Sequence, residues 1–361
     1  MGNGNSAYVQ IDNPVCMPGD VVSGFVHVNI VSKVTCTGVS IKVSGKEACQ
    51  WTTVTYVPGR KSMHRVVIPH YGGQVLFKLV FPIKDSYSES LIGQFTYPFT
   101  FRLPANLPGS FSHSQGSALV GDKVFAAVSY HVKAVVSVSG LLKSNIRHSS
   151  QLTVLERSNS VERVLGHATS NVNVCCCFNH GSVTIYVFTN TDVYWPGDVL
   201  TAIVSVRNNS SLDIKSFSLE LHSALDLKAT LSMKRVDRIH AKVETPGLKP
   251  GQDCVQTPIS LAIPHGVQQQ SLGFSVRHFY YVRLRARVSC ASSPTCDIPI
   301  NMYLPSTQPK VELIAQPHGW NPVSMPEVAI ILPTEPPVAE PLDLSAFPNL
   351  TPLPASNAMK I

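Results

Sequence analysis

The chain has 361 residues, 44% of them hydrophobic and only 14% charged, with a formal net charge of +7. That length holds two cores of ordinary domain size. No uncharged apolar stretch reaches the roughly 18 residues of a membrane-spanning helix, and no apolar secretory leader is evident, so the nine cysteines are expected to be reduced thiols rather than a disulfide framework.

Met1-Gly2-Asn3-Gly4-Asn5-Ser6 fits the pattern for myristoylation of Gly2 after removal of the methionine. One myristoyl chain holds a membrane only weakly, with a constant of roughly 10⁴ M⁻¹, so a second membrane signal is expected. Val15-Cys16-Met17-Pro18-Gly19-Asp20 then turns the chain into an alternating run, Gly24 to Ile30. Apolar and polar side chains also alternate over Val39–Ser44 and Val128–Ala134, the period of strands with one buried and one wet face. Pro58-Gly59, Gly72-Gly73 and Pro108-Gly109 supply turns between such runs, and no long amphipathic helix stands out. The pattern predicts an all-β fold of antiparallel sandwiches.

The opening turn returns 178 residues later as Val193-Tyr194-Trp195-Pro196-Gly197-Asp198. Pro98–Pro104 has its counterpart in Pro258–Pro264, and Tyr130 in Tyr280. The spacing is that of a domain rather than a solenoid repeat, so one β module is written twice. The expected organisation is a first domain over 1–156, a polar joint over 157–172, a second domain over 173–304 and a tail over 305–361.

Candidate sites fall mostly in the second copy. Cys175, Cys176 and Cys177 offer acceptors for S-acylation if exposed; a shared metal is not expected, because neighbouring strand residues point to opposite faces. Arg283, Arg285 and Arg287 share one face of a strand at about 6.6 Å intervals, close enough to bridge adjacent phosphates. Lys234, Arg235, Arg238 and Lys242 add charge from a neighbouring stretch, as do Arg60, Lys61, His64 and Arg65 in the first module. An anionic lipid surface is the expected partner, each basic residue contributing about 1 kcal/mol; the other reading is an ordinary solvated sheet face. Nucleic acid is not expected, since no aromatic ladder or nucleic-acid motif accompanies the arginines. From Pro305 onward the chain holds 12 of its 27 prolines and two lysines against five carboxylates, which leaves +10 on the body before it. Such a tail is expected to be disordered and extended, with short docking segments at most. Pro341-Leu342-Asp343-Leu344-Ser345 resembles docking pentapeptides of a kind common by chance.

The ordered series Tyr97-Pro98-Phe99-Thr100-Phe101, Leu103-Pro104-Ala105-Asn106-Leu107-Pro108-Gly109-Ser110-Phe111 and Tyr130-His131-Val132-Lys133-Ala134 resembles the arrestin superfamily. So do Cys175-to-Gly181, Tyr194-Trp195-Pro196-Gly197-Asp198 and Asn208-Asn209-Ser210 in the second module. The resemblance covers roughly Tyr8 to Leu304 and is closer to the arrestin-domain-containing (α-arrestin) branch than to receptor arrestins. It implies two tandem arrestin-like antiparallel β-sandwich domains followed by a disordered Pro-rich tail. It further implies a cytoplasmic adaptor in membrane-protein trafficking at plasma membrane or endosomes. Such an adaptor binds cytoplasmic regions of membrane-protein cargo and reaches sorting or coat proteins through its tail. A constitutive retromer-type coat subunit is the alternative. The sole Pro-Pro, Pro336-Pro337-Val338-Ala339, has no following tyrosine, so the Pro-Pro-x-Tyr route to ubiquitin ligases is not expected. No Gly-x-Ser-x-Gly elbow, zinc helix, phosphate-binding loop or Cys-x-x-Cys pair is present, and neither catalysis nor a cofactor is expected.

Overall fold

Alternation of inward and outward side chains runs through most of the long strands described for this molecule. The computed structural model describes residues 4–58, 62–84, 89–116, 123–140, 144–156, 161–174, 178–288, 291–306 and 319–330, and among these every regular element is a strand. The first domain comprises β1 (Ser6–Ile11), β2 (Val15–Cys16), β3 (Val21–Pro58), β4 (Met63–Lys84), β5 (Glu89–Arg102), β6 (Phe111–Gln115), β7 (Val124–Val138) and β8 (Ile146–Val154). The second comprises β9 (Val164–Val174), β10 (Phe178–Thr189), β11 (Val193–Tyr194), β12 (Val199–Ser210), β13 (Ile214–Lys228), β14 (Met233–Leu248), β15 (Asp253–Ala262), β16 (Ser271–Leu272), β17 (Val276–Val288) and β18 (Thr295–Met302). Two short strands follow, β19 (Val323–Ser324) and β20 (Val328–Ile330).

The 38-residue β3 serves both layers of the first sandwich. Its first stretch pairs with β1 and β5, its second with β7 and β4, and the register shifts between Ile30 and Val34. Val26, Val28, Ile41, Val43, Phe99 and Tyr130 close the core between the layers. Gly45 is required there: a Cβ would come within 2.6 Å of the Tyr130 ring and 2.7 Å of Phe77, two rings whose centroids lie 6.2 Å apart. In the second domain the sheet β15-β12-β10-β9 packs on β11-β18-β17-β13-β14 around Ile185, Val204, Leu219, Leu221, Leu284 and Ile298. Burying these faces stabilises each sandwich at roughly 25 cal/mol per Å² of apolar surface.

The duplication read from sequence is a duplication of hydrogen bonds. Asp20 N donates to Met17 O and Asp198 N to Trp195 O, each at 3.1 Å, across Pro-Gly centres with φ of +84° at Gly19 and +95° at Gly197. Proline followed by a left-handed residue is the type II turn, and glycine takes that φ without strain. Each aspartate then accepts from the first residue of its turn, Met17 N at 2.7 Å and Trp195 N at 2.8 Å. Leu103 N donates to Asp20 O and Ile263 N to Asp198 O, so the turns clip the ends of β5 and β15. The strands before the turns run parallel to β8 and β18. Finally, the buried hydroxyl of Tyr130 donates to Pro108 O at 2.6 Å, and the partly buried hydroxyl of Tyr280 donates to Gln268 O at 2.8 Å.

One expectation needs correction. The joint placed at 157–172 ends sooner, because Val164–Val174 forms β9 and pairs with β10 along most of its length. Its His167, Thr169 and Asn171 look polar in sequence because they face outward, while Val172 is fully buried. Within the tail beyond 305, residues 319–330 form a short docked segment on the first domain, where β19 and β20 run parallel to β5.

Candidate interaction surfaces

The basic ladder occupies the outer face of the β13–β14–β17 sheet. Arg283, Arg285 and Arg287 do lie on one face there, opposite Glu220, Ser218 and Ser216 of β13. Much of its charge is already matched. Arg283 donates from Nε and Nη2 to the two carboxylate oxygens of Asp297 at 2.7 and 2.6 Å, and this pair raises the guanidinium's pKa further. Lys242 pairs with Glu244 at 2.6 Å, Arg287 reaches Glu244 at 4.0 Å, and Arg235 bonds Asp237 at 3.1 Å and approaches Asp226 at 3.8 Å. Beneath them Glu220 is buried. Burial alone would raise its carboxyl, but hydrogen bonds from His222 and Ser218 outweigh that and hold it low. Of the six residues singled out, Lys234, Arg238 and Arg285 make no ion pair among the described residues. Arg238 borders a recess with Arg235 and Arg283 and also lines, with Val236 and His240, a cavity on the side that faces the first domain.

The domains join through a polar seam. Glu47, fully buried on β3, accepts Ser275 N at 2.9 Å and Val276 N at 3.3 Å. Gln269 Nε2 donates to Ser110 O and Val154 O at 3.0 and 2.9 Å, and Ser271 Oγ donates to Gly109 O at 2.6 Å. Gly109 N donates to Glu156, whose own N–H donates to Gln269 Oε1. Burial pushes the carboxyls of Glu47 and Glu156 upward, against the backbone N–H groups that favour their charged forms. Leu225, Leu227 and Val276 of the second domain belong to the core of the first. Sequence reasoning passed over both glutamates. The signal for Glu47 is its phase: it shares the inward parity of Val39, Ile41 and Val43 on the same strand.

The third surface is the outer edge of β5. Val323 and Ser324 register with Phe95 and Thr96, and Val328, Ala329 and Ile330 with Phe99, Thr100 and Phe101. Met325 N donates to Thr96 O at 2.9 Å, Asn321 N to Gln94 Oε1 at 2.9 Å, and Thr100 Oγ1 to Glu327 Oε1 at 2.7 Å. The Trp320 ring meets His27 edge-on at 5.7 Å, and Met325 packs against the core. Most other side chains of the segment are exposed, so backbone pairing carries its seat.

Gly2, Cys175, Cys176, Cys177, Arg60, Lys61 and the 341–345 pentapeptide lie outside the described residues. Among the described residues no group of His, Cys, Asp and Glu is arranged to hold a metal, and Cys16, Cys36, Cys49, Cys254 and Cys296 are free thiols. Burial pushes the Cys16 and Cys49 thiols up to about 12, so neither is a ready nucleophile.

Comparison with known proteins agrees with this architecture. Residues 7–160 match the N-terminal domain of arrestin (or S-antigen), and residues 179–307 match its C-terminal domain. Arrestin domain-containing protein A of Dictyostelium discoideum is 24% identical over 308 residues, 83% of this chain and 51% of that protein. Phosrestin-1 of Drosophila melanogaster is 25% identical over 179 residues, 49% of this chain and 44% of its own length. Arrestin domain-containing protein 5 of Bos taurus is 22% identical over 211 residues, 58% of this chain and 60% of that protein. The matches thus span about half the length of these curated relatives. With two sandwiches, twin clipped turns and both domain matches in sequence order, the chain belongs to the arrestin family.

Proposed function

We propose that the chain is a non-enzymatic adaptor that takes up extended segments of a partner along the outer edge of β5, where its own residues 319–330 now lie. The supporting observation is that guest strand, held mainly by backbone hydrogen bonds with most of its side chains exposed. Strand addition to a sheet edge draws affinity from the main chain and specificity from alternate side chains. It suits a module that meets many unfolded tails. Cytoplasmic regions of membrane-protein cargo are the proposed guests, at the plasma membrane or endosomes. Arg285, on the outer face, offers charge for an anionic lipid surface, and residues 331–361 the contact to sorting or coat proteins.

The test is Met325→Pro in the full chain, which removes the N–H bonded to Thr96 O. A photo-crosslinker at Thr100 then reports what lies on β5. Extended peptides from cargo tails are expected to bind several-fold tighter to the variant and to replace residues 319–330 in the crosslink. Peptide binding that ignores the substitution and leaves the crosslink unchanged overturns the reading.

A further inference from the structure

Where β6 of the first domain faces β13, β14 and β17 of the second, a cavity of about 100 Å³ opens. That is well above the roughly 10–15 Å³ required by one ordered water. Four basic side chains line it: His113 from β6, Arg238 and His240 from β14, and His278 from β17. No carboxylate is among the lining residues. Asp237, beside Arg238 in sequence, is bonded instead to Arg235 and Tyr281. Glu220 is engaged by His222 and Ser218, and Glu47 by the backbone of Ser275 and Val276.

The histidines are built into place. His278 Nδ1 donates to Gln269 O at 3.1 Å, its ring stacked on Phe111 at 4.6 Å and edge-on to Tyr280 at 4.9 Å. His240 Nε2 lies 2.8 Å from Ser223 Oγ, with its ring 5.5 Å from Tyr280. His113 Nε2 is buried with no hydrogen-bond partner among the described residues. Burial lowers all three imidazoles, His240 and His278 to about 4; repulsion from neighbouring basic groups adds to it, while at His278 the hydrogen bond to Gln269 O opposes it. Arg238 contributes to that repulsion at His113 and His240, and His222 adds to it at His240. A set of donors that depress one another and share no counter-charge suits an anion.

We propose that this cavity is a binding site for a phosphoryl-type oxyanion, which the Arg238 guanidinium and the protonated His113 and His240 hold between the two domains. The volume suits one tetrahedral group rather than a peptide, so the ligand is orthophosphate or the phosphomonoester of a soluble or lipid headgroup. Bound anion favours the imidazolium forms, so affinity rises as pH falls and binding takes up protons. The stability linkage has a matching sign. The folded values of His240 and His278 lie below the ordinary 6.5, so their contribution is full above that pH and is lost as pH falls towards about 4. Phosphate restores it. The site stands independently of strand addition at β5.

The experiment is calorimetric titration of the full chain at pH 5.5 and 7.5 with inorganic phosphate, a soluble inositol phosphate headgroup, and vesicles with and without an anionic phospholipid. Two buffers of different ionisation enthalpy measure proton uptake. Phosphate or headgroup is expected to bind more tightly at pH 5.5 with uptake of protons. Arg238→Gln, an exposed position, is expected to weaken binding about tenfold to a hundredfold. His113→Gln and His240→Gln are expected to reduce the proton uptake, which a purely structural role would leave unchanged. Preference for the headgroup identifies a phosphomonoester ligand, and preference for phosphate the free ion. Binding by vesicles alone, or phosphate binding that Arg238→Gln leaves intact or that takes up no proton, overturns the proposal.

Discussion

Thr100 on β5 donates a 2.7 Å hydrogen bond to Glu327, 227 residues further along the chain. The contact is exposed, and with Met325 N to Thr96 O it fixes the register of a segment that buries few side chains. Glu327→Ala is expected to loosen the segment by about 0.5–1 kcal/mol. Amide exchange over Val323–Ile330 should then quicken about twofold to fivefold, with the global melting temperature unchanged.

Gly19 and Gly197 sit at φ values that strain any side chain. A Cβ at Gly19 meets nothing closer than 3.9 Å, so Gly19→Ala isolates the conformational cost, about 1–2 kcal/mol. At Gly197 a Cβ also strikes the His265 ring, and Gly197→Ala is expected to destabilise at least as much. Denaturant melts of the two variants check both values.

Tyr130→Phe and Tyr280→Phe remove equivalent donors and leave Pro108 O and Gln268 O without them. Each is expected to destabilise by about 1–3 kcal/mol. The cost should be larger at Tyr130, whose hydrogen bond is fully buried while that of Tyr280 is only partly so. Urea midpoints measured on both single variants test that order.

Glu47 provides a pH test of the domain seam. Its carboxyl is raised in the folded protein, so its contribution to stability is fully present below the ordinary carboxylate range and is lost as pH rises through the raised value. Glu47→Gln keeps an acceptor oxygen for Ser275 N and never carries the charge. The variant is expected to be more stable than wild type at pH 7.5, with the difference closing as pH falls to 4. Chemical denaturation across that range measures it.

Much of the fold was legible because it is local. Val15–Asp20 and Val193–Asp198 carry a proline, a glycine and an aspartate at the positions that a type II turn with a side-chain clip demands. Alternation told inward from outward residues on β7, β12 and β17. At 157–172 polarity was read in place of that rule, and the outward polar residues of β9 looked like a joint. The basic ladder was placed correctly on one face, but sequence could not show that Asp297 and Glu244, from β18 and β14, would meet it. Arg238 was grouped by proximity in sequence with Lys234 and Arg235. Plain alternation from Val236 through Arg238 to His240 faces the cavity, and the irregularity between Leu221 and His222 then returns Lys242 to the outer face beside Glu220 and Glu244.

The sequence by itself determined two β-sandwiches and where each begins, since turn chemistry and period-two burial depend on residues a few positions apart. Tertiary structure alone decided which charges remain free and which carboxylates cross the domain seam. It also decided that three histidines and an arginine share one cavity and that residues 319–330 lie on β5. The seam and the strand on β5 pair residues more than two hundred positions apart, and all of these contacts are set by sheet order and register rather than by any local pattern.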